Sequence, residues 1–201
     1  LSEREREKIV DELHHHEHPR GAISEALLIV QEHRGWVPDE AVADVAGLLG
    51  GNRALRLLDY GGGNGEMARL LSAEGYGCET WDPIDRSGPR PGTGTYDLVS
   101  CFEVLEHTPQ PKATGADLAS LCNAAGAVLF STLVIDELPH RSLDFWYIAP
   151  RNGHITIYTS RALDRVFGEV GMAVYHFNAN LHLAYRRPPP WLALSEAHLA
   201  R

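Results

Sequence analysis

Apolar residues recur at helical spacing through the first fifty positions, then contract into short runs separated by polar stretches. Ile9 and Leu13 mark one helical face, Ile23, Leu27 and Val30 a second, and Val42, Val45 and Leu49 a third. His18-Pro19-Arg20-Gly21 interrupts the first two, Arg34-Gly35-Trp36-Val37-Pro38 the next two, and Gly50-Gly51-Asn52 closes the third. Helices this short bury too little surface to stand alone, so the segment is expected to dock on the rest of the chain or on a partner. From Leu55 onward the pattern predicts strands at 56–59, 78–82, 97–102 and 127–133, with helices at 65–74, 113–123 and 160–170. Two last strands, 173–178 and 181–186, flank Asn178-Ala179-Asn180 and form an antiparallel hairpin. Alternating strand and helix predicts an α/β domain with a parallel sheet. The chain therefore divides into a helical segment 1–50, an α/β domain 51–187 and a Pro-rich tail 188–201.

Composition narrows the function. The 201 residues are 44% hydrophobic and 22% charged, values of a water-soluble globular chain. The net charge of −9 is concentrated in residues 1–50, where five Lys/Arg face eleven Asp/Glu. Neither part carries a basic stripe, which argues against a nucleic-acid substrate. The longest apolar runs, 27–30 and 127–130, are too short to insert in a membrane. No charged-then-apolar leader opens the sequence, and a cytoplasmic location is expected. Cys78, Cys101 and Cys122 are odd in number and far apart, so they read as buried thiols.

The chemistry begins at Leu57-Leu58-Asp59-Tyr60-Gly61-Gly62-Gly63-Asn64-Gly65. A buried strand runs into closely spaced glycines and then a helix, which lets backbone N–H groups approach a ligand. A dinucleotide fingerprint would require glycine where Glu66 stands. Asp82 ends the next strand about twenty residues on, at the distance of a ribose-binding acid; a plain Asp-Pro turn is the other reading. Glu103-Val104-Leu105-Glu106-His107 follows the third strand. In this order the three motifs resemble those of class I S-adenosylmethionine (SAM)-dependent methyltransferases. The resemblance implies a Rossmann-like sheet closed by an antiparallel hairpin, and S-adenosyl-L-methionine as cofactor. It implies Asp59, Gly61, Gly62, Gly63 and Gly65 at the methionine end, Asp82 on the ribose, and Cys101, Phe102 and Glu103 beside the sulfonium. One departure stands out: residues 83–95 are too few for a crossover helix plus a further strand. The acid that meets adenine in that family then has no clear counterpart beyond Asp85.

Methyl transfer to a hydroxyl is helped by a base. His107, just past the third strand, and His154, in a polar and aromatic insertion after the fourth, are the candidates. Hydrogen bonding of both rings to backbone is the alternative. Trp146, Tyr147 and Tyr158 either line an acceptor pocket or belong to the core. A small-molecule acceptor methylated on oxygen is the expected substrate. No metal set is read: in His14-His15-His16-Glu17-His18 successive helical residues face different directions, and a solvated helix face is expected.

The first fifty residues carry a second resemblance. His14-His15, Pro19-Arg20, Glu25-Ala26-Leu27, Ile29-Val30-Gln31 and Arg34-Gly35-Trp36-Val37-Pro38-Asp39 are similar to the helical N-terminus of the thioredoxin-like, iron–sulfur subunit of bacterial NADH:quinone oxidoreductase. In that family a ferredoxin-like domain with four cysteine ligands follows, and three scattered cysteines cannot hold a [2Fe–2S] cluster. Residues 1–50 are thus either a docking module or a helical cap. A non-catalytic protein that docks on the oxidoreductase is the alternative function.

Overall fold

The computed structural model describes residues 39–84, 88–136, 147–148 and 153–192. The chain forms two compact units, Leu1–Ala43 and Asp44–Arg201. The first two expected helices, the Trp36 break, Asp85, Trp146 and the tail beyond residue 192 lie outside the described residues. The third periodicity is seen as helix α1, Asp39–Leu48, with Val45 and the following Leu49 buried.

The second unit is built around strand β1, Arg56–Tyr60, which is buried after its first residue. Such burial is what a continuous apolar run requires when strands pair on both sides and helices cover both faces. β2, Gly77–Trp81, and β3, Tyr96–Phe102, both pair with β1 in parallel. Helix α2, Glu66–Ala73, joins β1 to β2 and buries Met67, Ala68 and Leu71. Helix α3, Pro111–Leu121, opens with Pro, whose missing N–H costs nothing at a helix start, and leads into β4, Cys122–Ser131. Helix α4, Ser160–Gly168, is capped by Thr159, whose side chain accepts from the Ala162 N–H. Strands β5, Ala173–His176, and β6, Leu181–Tyr185, complete a six-stranded sheet in the order β2-β1-β3-β4-β6-β5. β6 is antiparallel to both β4 and β5, so the closing hairpin is present as expected. Asn178 forms its turn, its Oδ1 accepting from the N–H groups of Asn180 and Leu181 at 2.8 Å. Phe130 of β4 stacks on Phe167 of α4 with centroids 4.9 Å apart in the main core cluster.

The shortened crossover is also real. Among the described residues between β2 and β3 none is in a helix or strand, which leaves β2 as the sheet edge. Other contacts hold this segment down. Arg90 pairs with Asp117 of α3, and the N–H groups of Gly94 and Thr95 donate to Ser120 and Leu121 at 2.7 and 2.9 Å.

Two expectations change. β4 starts at Cys122, earlier than expected, because α3 runs straight into it through a register irregularity opposite Tyr96 and Leu98. Asn123 supports this irregularity by donating to Asp97 at 2.8 Å and accepting from the Ala125 N–H at 2.9 Å. Cys101 and Cys122 are buried free thiols, but Cys78 is only half-buried, because β2 lacks an outer neighbour.

Candidate cofactor and acceptor site

The carboxyl ends of β1, β2 and β3 meet at the glycine loop. Gly61 donates its N–H to the Trp81 carbonyl at 2.8 Å, and Gly65 donates to Gly62 at 2.8 Å and caps α2. Gly61, Gly63 and Gly65 have φ of 74°, 51° and 76°. Two positions show why side chains are excluded. A Cβ on Gly62 would strike the carboxylate of Asp59 and lie 2.6 Å from Thr80 Oγ1. A Cβ on Gly63 would meet nothing within 4 Å, so it would project into open space above the loop.

Two carboxylates lie at the loop, Asp59 beneath Gly62 and Asp82 beside Gly63. Asp59 is 4% exposed and its Oδ2 has no hydrogen-bond partner among the described residues. Burial, and then the charge of Asp82, push its carboxyl up to about 7, with the Ser100 hydroxyl working the other way. Asp82 follows β2 and accepts the Gly63 N–H at 3.3 Å and the Ile84 N–H at 2.7 Å. Beyond it lies a cavity of about 650 Å³ whose lining includes Gly63, Thr80, Trp81, Asp82 and Arg90. Trp81 packs edge-on against Tyr60, with centroids 5.4 Å apart, and its buried Nε1 lacks a partner among the described residues. The open space over Gly63, the orphaned Asp59 oxygen and the acid on the cavity wall fit a cationic group joined to a hydroxylated ring and a flat base. S-Adenosyl-L-methionine has that form.

The loop's other side is polar. Gly61 lies so close to Val104 that a Cβ would sit 2.5 Å from Val104 Cγ2, which places the Glu103–His107 segment against the loop. Glu103 holds φ at 52°, an uncommon conformation for a residue with a side chain. Ser131 stabilises it: Glu103 N–H donates to Ser131 Oγ at 2.9 Å, and that hydroxyl donates to Glu103 Oε1 at 2.7 Å. Burial first, and then Glu106, push the Glu103 carboxyl up to about 7. Glu106 lies in a 3-10 turn, Leu105–His107, and is 0% exposed. Its carbonyl accepts from Ile155 and Thr156 at 2.9 and 3.0 Å, which brings His154 beside His107 with ring centroids 4.9 Å apart. His154 Nδ1 donates to the Tyr147 carbonyl at 2.9 Å, so in the neutral ring the lone pair is on Nε2.

The glycines, Asp59, Asp82, Glu103, His107 and His154 therefore belong to one region of the sheet's carboxyl end. Cys101 does not face it with its side chain, which is packed in the core; Phe102 is half-buried. Tyr147 and Tyr158 are core struts. The Tyr158 hydroxyl donates to the Leu105 carbonyl at 2.9 Å, and the Tyr147 hydroxyl accepts from the Leu133 N–H at 3.1 Å. Glu106, Ser131 and Trp81, to which the sequence assigns no role, also belong to this region. Glu106 had a readable signal: it stands three residues after Glu103 in the same short polar segment.

A family model described as "Methyltransferase domain" matches residues 30–176. A NADH-quinone oxidoreductase subunit of Escherichia coli (strain K12) is 58% identical over 50 residues, 25% of this chain and 30% of that protein. Ubiquinone biosynthesis O-methyltransferase of Paraburkholderia xenovorans is 52% identical over 40 residues, 20% of this chain and 17% of that protein. The chain thus spans under a third of the curated relatives it matches. Among solved structures, a SAM dependent methyltransferase from Archaeoglobus fulgidus superposes with a TM-score of 0.54 at 16% identity, covering 76% of this chain and 78% of that one. That likeness is one of fold.

Proposed function

Since the chain belongs to the methyltransferase-domain family, whose members take their methyl group from S-adenosyl-L-methionine, we propose that it methylates an oxygen of a small-molecule acceptor. The observation that carries this is the junction of two unlike surfaces. On one side, the glycine loop and two carboxylates suit the cofactor. On the other, a buried acid and two imidazoles suit an acceptor proton.

Asp59 and Gly61–Gly65 would hold the methionine end, Asp82 the ribose hydroxyls, and the cavity beside Trp81 the base. Bound there, the cofactor supplies a methyl group already activated by a sulfonium. What remains for the protein is positioning, exclusion of water and management of one proton. His154 Nε2 has its lone pair free because Nδ1–H is committed to the Tyr147 carbonyl, and it takes the acceptor's hydroxyl proton with His107 beside it. The Ubiquinone biosynthesis O-methyltransferase match supports oxygen as the acceptor atom. The test is release of S-adenosylhomocysteine across a panel of phenols, carboxylic acids and amines. Turnover confined to amines would overturn the oxygen assignment.

A second reading concerns residues 1–50. The resemblance they carry, with the 58% identity over 50 residues to the oxidoreductase protein, favours a docking role beside the enzymatic one. Tagged protein of residues 1–201 should retain components of the oxidoreductase from a bacterial extract, and a variant lacking residues 1–50 should not. Equal retention by both would remove the docking role.

A further inference from the structure

We propose that Glu106, His107 and His154 form a binding site for a first-row divalent cation, with coordination positions left open to an acceptor oxygen. Their ligand-capable atoms lie within 4.8 Å of one another. Small side-chain rotations close that separation onto one ion with bonds of about 2.1 Å.

Glu106 provides an independent reason. It is fully buried, and apart from the neighbouring Glu103 carboxyl neither of its carboxylate oxygens has a hydrogen-bond partner among the described residues. A buried carboxylate without a donor is unfavourable, and a bound cation would compensate it. The neighbouring acid, Glu103, could donate only by holding a proton between the two carboxyls. That arrangement has no use for two imidazoles standing at the same place, whereas a cation has.

The surroundings are those of a ligand set. His154 gives Nδ1–H to the Tyr147 carbonyl, the outer contact that fixes the tautomer and aim of metal-binding histidines. The two segments that carry the three side chains are stapled by Ile155 and Thr156 N–H on the Glu106 carbonyl. The Thr156 hydroxyl adds a bond to the Thr108 carbonyl at 2.6 Å. Gly153 permits the approach, since a Cβ there would lie 2.8 Å from His107 Nδ1.

Two imidazoles and one carboxylate suit Mn²⁺, Fe²⁺ or Zn²⁺ and not Ca²⁺, which wants six or more oxygens. Three protein ligands leave room for water or substrate. The role of those open positions rests on the methyl-transfer reading; the ion site does not. An acceptor with two adjacent oxygens would chelate there, and the cation would lower the pKa of its hydroxyl. With the ion bound, His154 would be a ligand in place of the base role given above, and the hydroxyl proton would pass to water.

The experiment uses the full chain with His14→Ala, His15→Ala, His16→Ala and His18→Ala, which removes a competing chelator near the start of the sequence. The protein is stripped with EDTA, dialysed, and titrated with Mn²⁺ while free ion is followed by electron paramagnetic resonance. One equivalent should bind. Glu106→Gln and His154→Ala should each weaken binding at least about tenfold while S-adenosylhomocysteine still binds. Failure of the parent to bind either Mn²⁺ or Zn²⁺ stoichiometrically would overturn the site, as would unchanged affinity in the variants. If Glu106→Gln does not fold, His154→Ala, on a loop, decides alone. Intact ion and S-adenosylhomocysteine binding without transfer to any acceptor would uphold the site and count against the acceptor reading.

Discussion

Gly63→Ala separates folding from cofactor binding. Gly63 sits at φ 51° and its added Cβ would touch nothing within 4 Å. The folded protein therefore bears only the left-handed backbone cost of about 1–2 kcal/mol, partly offset by about 0.4–1 kcal/mol from a less flexible unfolded chain. A net loss of about 1 kcal/mol lowers the melting temperature by about 2–4 °C in a domain of this size. The same methyl group stands where the cofactor's methionine end would lie. Loss of one well-fitted contact there, about 1.4 kcal/mol or more, weakens S-adenosylhomocysteine at least tenfold. Gly62→Ala is the contrast, since its Cβ meets the Asp59 carboxylate and Thr80 Oγ1 at 2.6 Å, and should damage the fold itself. Thermal melts and calorimetric titration on the two variants give all four quantities. A Gly63→Ala protein that binds like the parent would refute the idea that the loop cradles the ligand.

Asp59 and His182 should pull the pH dependence of stability in opposite directions. Asp59, raised from 3.8 to about 7, holds a proton in the folded state that the unfolded chain releases, so its contribution falls as pH rises across that window. Asp59→Asn should remove that slope and leave the ligand-free protein about 1–3 kcal/mol more stable than the parent at pH 8, measured by urea unfolding. His182, lowered from 6.5 to about 4 chiefly by burial, binds a proton first when unfolded, so stability falls as pH drops from 6.5 towards 4. Its Nε2 lies 3.0 Å from the Thr132 carbonyl, and its Nδ1 2.8 Å from His176 Nδ1. His182→Gln should flatten the acid side of the profile. Gly126→Ala would set a Cβ 2.6 Å from the Tyr96 carbonyl in the β4 irregularity and should cost about 1–3 kcal/mol in the same assay.

Most of the sheet was legible because local pattern and long-range packing agree there. Leu57-Leu58 reads as a strand and is one, since both neighbours of β1 demand an apolar run. That β2 is the sheet edge is legible in the length of residues 83–95 alone. The early start of β4 was not, because Cys122 to Gly126 are irregular in register and owe their pairing to Asn123 and Asp97, a distant contact. The cofactor half of the site is local in sequence: one loop and one strand end. The acceptor half is not. His154 meets His107 only through backbone bonds between two loops, and Tyr147 and Tyr158 serve as struts because remote carbonyl and N–H groups need their hydroxyls. Burial of Glu106 without a donor is a property of the packed structure and has no signature in the chain.

Equilibrium dialysis with radiolabelled S-adenosyl-L-methionine tests the central assignment most directly. One equivalent should be retained per chain, displaced by S-adenosylhomocysteine and left in place by NADH, with retention lost in Asp82→Ala. Displacement by NADH, or equal retention by Asp82→Ala, would contradict an adenosyl sulfonium over residues 61–65.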